Sequence, residues 1–177
     1  MEVFWRKGFD GTSITDLTEA MGINRPSLYA AYGDKESLFR KVLDRYGEGP
    51  GGYFGEALLA PTAREAARAV LRGAAAVQTG EGRPRGCLAV RGALSCGDAG
   101  AGVEEELQAR WREMMKALTA RFDRAKEEGD LPGEASAEGL ARYVGTLVGG
   151  MAVMAAGGAS KEELEGVIET GMRGWPG

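Results

Sequence analysis

Residues 21–35 read MGINRPSLYAAYGDK, and the glycines, asparagine and proline in this stretch set the local structure around it. Gly22 favours the end of a preceding helix, because glycine readily adopts the left-handed conformation found after a last helical turn. Asn24 can cap a new helix two residues later, and Pro26 falls in its first turn, where a missing N–H costs little. The stretch therefore predicts a short helix over 25–32 that follows a tight turn.

Helical patterns lie on both sides of this stretch. Upstream, Ser13 and Asp16 have the spacing of a helix start, and an earlier short helix is predicted to end near Gly8. Downstream, Asp34 can cap a longer helix whose apolar residues recur at intervals of three and four. Two short helices joined by a glycine turn and followed by a longer one form the plan of a helix-turn-helix domain.

The rest of the chain continues the helical pattern. No stretch of strict apolar alternation is long enough for a sheet, so the predicted fold class is all-α. Further helices are predicted over about 62–79, around 87–96, from 103 to about 128, from 136 to about 156, and from 160 to about 175. The glycine-rich segment 47–61 is predicted as the joint between a helix-turn-helix domain, residues 1–46, and a larger helical ligand-binding and dimerisation domain, residues 47–177.

The composition limits the chemistry open to this 177-residue chain. It has no histidine, which excludes histidine-based acid–base catalysis and the usual zinc sites. No candidate nucleophile has a base beside it, and the acidic clusters 104–106 and 162–163 suit solvated helix starts. We therefore expect neither an enzyme nor a protein that needs a cofactor or metal. Two cysteines and no signal-peptide pattern lead us to expect a cytoplasmic protein.

Two features admit both a structural and a functional interpretation. Cys87 and Cys96 could form a redox sensor, but nine residues on one helix turn through about 900°, which places them on opposite faces. Buried, unreactive thiols are therefore the favoured interpretation. The apolar run 143–159 is shorter than the roughly 20 residues that a membrane span needs, so it is predicted to be a buried helix.

The short helix over 25–32 could enter the major groove of DNA, where the first residues of such a helix meet base edges. Four positions are candidate base-reading residues: Arg25, Pro26, Ser27 and Ala30. Arg25 could donate a bidentate pair to guanine, and Pro26 could contact a thymine methyl group. Three further positions could hold phosphates: Thr12, Tyr29 and Lys35. Spacing alone leaves open that these helices are ordinary packing elements.

Residues 4–46 resemble the DNA-binding domain of the TetR family of bacterial repressors. The matching features are Phe4, Gly8-Phe9, Thr12-Ser13-Ile14, Gly22, Leu28-Tyr29, Tyr32, Lys35-Glu36 and Leu38. The resemblance implies nine or more helices, operator binding as a homodimer, and release when a ligand enters the C-terminal domain. It also places Arg25, Pro26, Ser27 and Tyr29 on the recognition helix, and Thr12 and Lys35 at phosphate contacts. The C-terminal region resembles the family only in helix count and in the sequence RGCLAV over 86–91.

Two features of residues 1–46 depart from the resemblance. Family members have a full first helix before the position of Phe4, so we expect that this sequence is shortened at its N-terminus. The segment also carries seven basic and seven acidic residues, which gives a net charge of zero. Because DNA affinity rests largely on phosphate neutralisation, this balance favours an alternative function, a helical small-molecule-binding or interaction protein without DNA binding.

The larger domain has two candidate surfaces. Methionines beside aromatic residues suit an adaptable pocket for a small apolar or amphipathic effector, although each could equally be core. The candidate pocket residues are Trp111, Met114, Met115, Leu118, Phe122, Met151 and Met154. A stripe of small residues could let another helix approach closely: Gly145, Gly149, Ala152 and Ala156. Packing within the chain explains that stripe equally well, and the resemblance favours a dimer through the last two helices. Such a dimer would place two recognition helices about 34–36 Å apart, as a palindromic operator requires.

Overall fold

The computed structural model describes residues 1–94 and 101–176, and within these ranges it contains ten α-helices and no strand. This confirms the all-α prediction. In chain order the helices are α1 Glu2–Lys7, α2 Ile14–Met21, α3 Arg25–Tyr32, α4 Lys35–Glu48, α5 Tyr53–Ala57, α6 Ala63–Thr79, α7 Leu88–Leu94, α8 Ala101–Glu127, α9 Ala137–Ala156 and α10 Lys161–Arg173.

Short polar side chains start most of these helices. Ser13, Thr62 and Ser160 each form a capping box, in which the hydroxyl accepts a backbone N–H and an acidic residue three positions later bonds back. Ser136 caps α9 by accepting the backbone N–H of Gly139. Because these hydrogen bonds are local, the helix starts follow directly from the sequence.

The larger core lies among α6, α8, α9 and α10. Phe122, Met151, Leu164 and Ile168 are fully buried there, and the Phe122 and Trp175 rings meet edge to face at 5.4 Å. By length and composition alone, α9 could cross a membrane, as core helices of soluble proteins also can. Here α9 packs against α6, α8 and α10, which agrees with the prediction of a core helix.

A second core joins the helix-turn-helix region to the larger domain. Phe4, Phe9 and Phe39 form an aromatic group with ring centroids 5.0–6.3 Å apart. Leu88 of α7 and Leu107 of α8 are buried in the same cluster. The two parts of the chain therefore share apolar contacts across α4, α7 and α8.

The glycine-rich segment 47–61 is more ordered than the prediction of a simple joint. Helix α4 continues through Gly47 to Glu48, and α5 lies within the segment. Tyr53 of α5 packs so closely on Gly73 that a Cβ there would collide with its ring. This close packing gives the segment a fixed place against α6.

The cysteine prediction is corrected in part. Cys87 precedes α7 instead of lying on it, and its Sγ lies 3.5 Å from the Tyr46 hydroxyl, which donates a hydrogen bond to it. Burial raises the pKa of Tyr46 well above its usual value. Cys96 lies outside the described residues, so the predicted separation of the two thiols stays a prediction.

Candidate nucleic-acid interface

The turn between α2 and α3 has the geometry that the sequence predicts. Gly22 is left-handed, with φ 65° and ψ 30°. Its N–H donates to the Glu19 carbonyl, and the N–H of Ile23 donates to the Thr18 carbonyl. These bonds satisfy carbonyls at the end of α2 and turn the chain directly into α3.

Helix α3 is fixed at both ends and along one side. The Asn24 side chain accepts the Ser27 backbone N–H at 2.8 Å, and the Gly33 N–H donates to the Tyr29 carbonyl, also at 2.8 Å. Leu28 is fully buried in the second core and anchors the helix. An eight-residue helix is marginal in isolation, so these contacts are what keep it folded.

The other side of α3 faces solvent. The four predicted base-reading residues, Arg25, Pro26, Ser27 and Ala30, are all exposed. Tyr29 is also exposed, at 47%. The Arg25 guanidinium donates to the Thr15 hydroxyl at 2.8 Å, a contact between α3 and α2 that residue spacing did not indicate. Residues 20–33 contain no carboxylate, so this surface carries the single charge of Arg25.

The three predicted phosphate-binding residues lie in different environments. Tyr29 is exposed, whereas Lys35 is half-buried with its Nζ 4.3 Å from the centre of the Phe9 ring. Thr12 has no exposed surface, and its hydroxyl donates to the Gly8 carbonyl at 2.6 Å. The Thr12 side chain therefore packs and bonds inside the domain, and its role at a DNA phosphate stays a prediction.

Several carboxylates of residues 1–46 are committed to contacts within the protein. Asp16 bonds Lys7 at 2.6 Å and the Ser13 N–H, and the Lys7 contact chiefly lowers the pKa of Asp16 to about 2. Asp34 accepts the Ser37 N–H at the start of α4, which lowers the pKa of Asp34. The acidic and basic residues of segment 1–46 are thus unevenly distributed, because none of the acidic residues lies on α3.

The seven predicted pocket residues lie in different environments. Leu118, Phe122 and Met151 are buried in the larger core, whereas Trp111 and Met154 are 41% and 43% exposed. Met114 and Met115 are half-buried. Of the seven, Leu118, Phe122 and Met151 belong to the larger core, and Met115 packs against it.

The predicted stripe of small residues is buried within the chain at Gly145 and Ala152 but exposed at Ala156, and its role at a dimer interface stays a prediction. A Cβ at Gly145 would lie 2.7 Å from Met115 Cε, and Ala152 is only 2% exposed. A Cβ at Gly86 would lie 3.3 Å from the Cβ of Ala156, so this end of the stripe meets the 83–86 loop. Gly149 is half-buried.

A different face of α9 is exposed, and sequence reasoning missed it. Tyr143, Val153 and Met154 are 38%, 56% and 43% exposed. Beside them, Tyr143 and Leu147 of α9 form a groove with Val167 and Gly171 of α10. The signal in the sequence was the large apolar residues on the side of α9 away from Gly145.

A short, capped and exposed helix, held across a tight turn from a second helix, is the recognition element of a helix-turn-helix DNA-binding protein. The family described as bacterial regulatory proteins, tetR family, matches residues 1–42. The chain is 30% identical to the HTH-type transcriptional repressor ComR of Escherichia coli (strain K12), over 99% of this chain and 85% of ComR. Over 44 residues, which are 25% of this chain and 22% of the relative, it is 52% identical to the HTH-type transcriptional repressor BdcR of the same organism.

A solved structure gives the same assignment. A cysteine mutant of the TetR family transcriptional regulator CifR, complexed with 26-base-pair operator DNA, superposes with a TM-score of 0.94. The two chains are 39% identical, and the match covers 99% of this chain and 92% of CifR. The chain therefore belongs to the TetR family of bacterial transcriptional regulators. Regulators of this family are generally DNA-binding proteins without enzymatic activity.

Proposed function

We propose that this protein is a cytoplasmic transcriptional repressor that binds a palindromic operator as a homodimer. A small apolar or amphipathic effector that enters the larger domain releases it from DNA. The observation that carries the proposal is the exposed face of α3, where Arg25, Pro26, Ser27 and Ala30 face solvent on a helix that is capped and anchored. The relatives support it, because ComR and BdcR are transcriptional repressors and CifR binds operator DNA.

In this proposal the side chains of α3 and of Lys35, at the start of α4, have different roles. Arg25 donates to a guanine edge, Ser27 bonds a neighbouring base and Pro26 contacts a thymine methyl group. Tyr29 and Lys35 hold the sugar–phosphate backbone and fix the register of the helix in the groove. Before Arg25 can reach a base, it exchanges its 2.8 Å hydrogen bond with Thr15 for the contact with DNA.

Helices α9 and α10 form the dimer interface in this proposal. Their shared groove has a volume of about 490 Å³ and is bordered by Tyr143, Leu147 and Val167. A second copy of the chain, related by a twofold axis, would cover these apolar side chains. The resulting dimer would present two copies of α3 to half-sites one helical turn apart, about 34–36 Å.

Helix α4 transmits the effector signal in this proposal, because it contacts both parts of the chain. Its Asp44 bonds Arg110 of α8 at 2.5 Å, and its Tyr46 bonds Cys87 ahead of α7. An effector that enters among the α8 and α9 methionines has to displace buried side chains such as Met151. The resulting shift of α8 would pull α4 and, through the shared aromatic core, change the spacing of the two α3 helices.

The test is selection of random duplex DNA by the purified chain at moderate salt, with Arg25→Ala and Arg124→Ala in parallel. Arg124 is a suitable control because it is an exposed arginine on α8 that, among the described residues, pairs with Glu128 alone, at 3.6 Å. We expect the wild type and Arg124→Ala to enrich the same palindrome, and Arg25→Ala to lose preference at one position of each half-site.

Two outcomes would count against the proposal. If no variant enriches a sequence although the protein is folded and dimeric, the chain is better described as a small-molecule-binding or interaction protein without DNA binding. If Arg25→Ala enriches the wild-type palindrome unchanged, DNA binding is real but α3 does not read the bases through Arg25.

A further inference from the structure

A cavity of about 320 Å³ lies where α1 meets the larger domain. Seven residues line it: Trp5, Arg6, Arg83, Pro84, Arg85, Arg91 and Ala156. They come from α1, from the loop before α7, from α7 itself and from the end of α9. The cavity therefore joins the helix-turn-helix region to a loop and two helices of the larger domain, and it lies apart from the exposed face of α3.

The charge around this cavity is strongly positive. Four of the seven lining residues are arginines, and the described residues that line the cavity include no carboxylate. A recess that is lined by positive charges raises the local concentration of anions. Such a grouping is unusual in a chain whose net charge is −4. The lining therefore carries more positive than negative charge, although the Arg6 charge is partly offset by Glu2.

The positions of the guanidinium groups are partly fixed. Arg85 donates from Nε to the Ala155 carbonyl at 3.0 Å and from Nη2 to the Ala159 carbonyl, which ties it to the end of α9. Arg6 pairs with Glu2 at 3.3 Å, but both side chains are more than 60% exposed, so this pair is weak and easily exchanged. Arg83 is exposed beside them.

The remaining walls are apolar and firm. Trp5 is only 2% exposed, and its Nε1 donates to the Gly86 carbonyl at 3.1 Å. Pro84 is buried beside it, and Ala156 closes the side formed by α9. A ligand in this cavity would thus meet the small parts of Trp5 and Pro84 that line it, together with Ala156, as well as positive charge.

We propose that this cavity binds a small organic anion, in which a carboxylate or phosphate is attached to a compact apolar group. The guanidinium fork matches carboxylate and phosphate oxygens, and the apolar part would contact Ala156 and the lining parts of Trp5 and Pro84. The volume of about 320 Å³ is at the small end of the range for ligand pockets, which suits a ligand the size of a single substituted ring.

Binding of such an anion would tie α1 to the larger domain. One anion that contacts both Arg6 and Arg83 would link the helix-turn-helix region to the 83–86 loop and α9. Any effect on operator affinity rests on the proposed function, whereas binding itself does not. The anion site can therefore be tested on the free protein without DNA.

The experiment is calorimetric titration of the full chain with phenyl phosphate, at constant ionic strength in chloride buffer. Inorganic phosphate and phenol serve as probes of the charged and apolar parts alone. We expect phenyl phosphate to bind one site per chain, at least tenfold more tightly than either part. Arg83→Gln should weaken binding about tenfold, Arg83→Lys should weaken it less, and the control Arg124→Gln should leave it unchanged.

Several results would overturn the proposal. Equal binding by Arg83→Gln and Arg124→Gln would mean that phenyl phosphate binds elsewhere. Absence of binding to the wild type would refute the proposed anion site. If Arg83→Gln instead lowers DNA affinity and reduces its salt dependence, with no anion binding by the wild type, the arginines contact DNA phosphates. Failure to select an operator would refute the proposed function and leave the anion titration unaffected.

Discussion

Substitutions at the cap of α3 can distinguish the contribution of this helix to stability from its contribution to DNA binding. The Asn24 side chain is exposed and accepts a single hydrogen bond, from the Ser27 N–H at 2.8 Å. Pro26 has no N–H, so Asn24 serves one of the few first-turn donors that α3 possesses. Asn24→Ala removes this bond, which should lower the free energy of unfolding by about 1 kcal/mol. For a chain of this length, that corresponds to a fall in Tm of about 2–4 °C.

Asn24→Asp is the matched variant. Aspartate caps a helix as well as asparagine does, and its charge is favourable at a helix N-terminus, so the Tm should equal or slightly exceed that of the wild type. If α3 enters the major groove, the same charge faces phosphates, and the repulsion should lower operator affinity about tenfold, or roughly 1.4 kcal/mol.

Urea unfolding and titration of a selected operator would measure the two effects on the same preparations. Three results would refute the reasoning: an unchanged free energy of unfolding in Asn24→Ala, a large loss of stability in Asn24→Asp, or wild-type operator affinity in Asn24→Asp. The last result would mean that the start of α3 does not approach DNA.

Three further predictions concern the interior and its charges. Trp5→Phe leaves the Gly86 carbonyl without its indole donor, so urea unfolding should show a loss of about 1–3 kcal/mol, and an unchanged value would contradict the role of that bond. Thr12→Val removes the buried hydroxyl bond to Gly8 and should lower the free energy of unfolding by about 1–2 kcal/mol at unchanged operator affinity, whereas a loss of affinity alone would support the phosphate role predicted for Thr12. The pKa of Asp16 is lowered to about 2 in the folded protein, so this carboxylate stabilises the fold above its unfolded pKa. Asp16→Asn should therefore be less stable than the wild type near neutral pH, with a difference that disappears as the pH falls from about 5 to 2; a pH-independent difference would disagree.

The helix starts were predictable because their causes are local. Ser13, Asn24, Asp34, Ser136 and Ser160 each accept a backbone N–H three residues ahead, as their positions in the sequence predict. A hydrogen bond that spans three residues requires no knowledge of the tertiary structure. The all-α fold class and the α2–α3 turn could therefore be predicted from the sequence.

The environments of particular side chains were harder to predict from the sequence, because they depend on distant residues. Gly145 lies on a stripe of small residues that suits either an intermolecular or an intramolecular contact, and only the position of Met115 on α8 decides between them. Thr12 is buried by packing that its own sequence neighbourhood does not reveal. Periodicity identifies which residues share a helix face, but it does not identify what that face contacts.

The particular contacts between the parts of the chain on either side of the 47–61 segment likewise depend on distant residues. Glycines there predicted a joint, yet Asp44 bonds Arg110 and Trp5 bonds the Gly86 carbonyl, so contacts bridge the two parts on either side of that segment. Each of these pairs is separated by more than 60 residues in sequence. Only the folded arrangement brings these partners together.

The measurement that bears most directly on base reading by α3 is a double-mutant cycle between Arg25 and a guanine of the selected operator. Affinities would be measured for the wild type and Arg25→Ala, each with the intact half-site and with that guanine replaced. A coupling of about 1–3 kcal/mol is the expected result, because Arg25 then contributes only when its guanine is present. A coupling near zero for every guanine of the half-site would contradict the assignment of Arg25 as a base-reading residue.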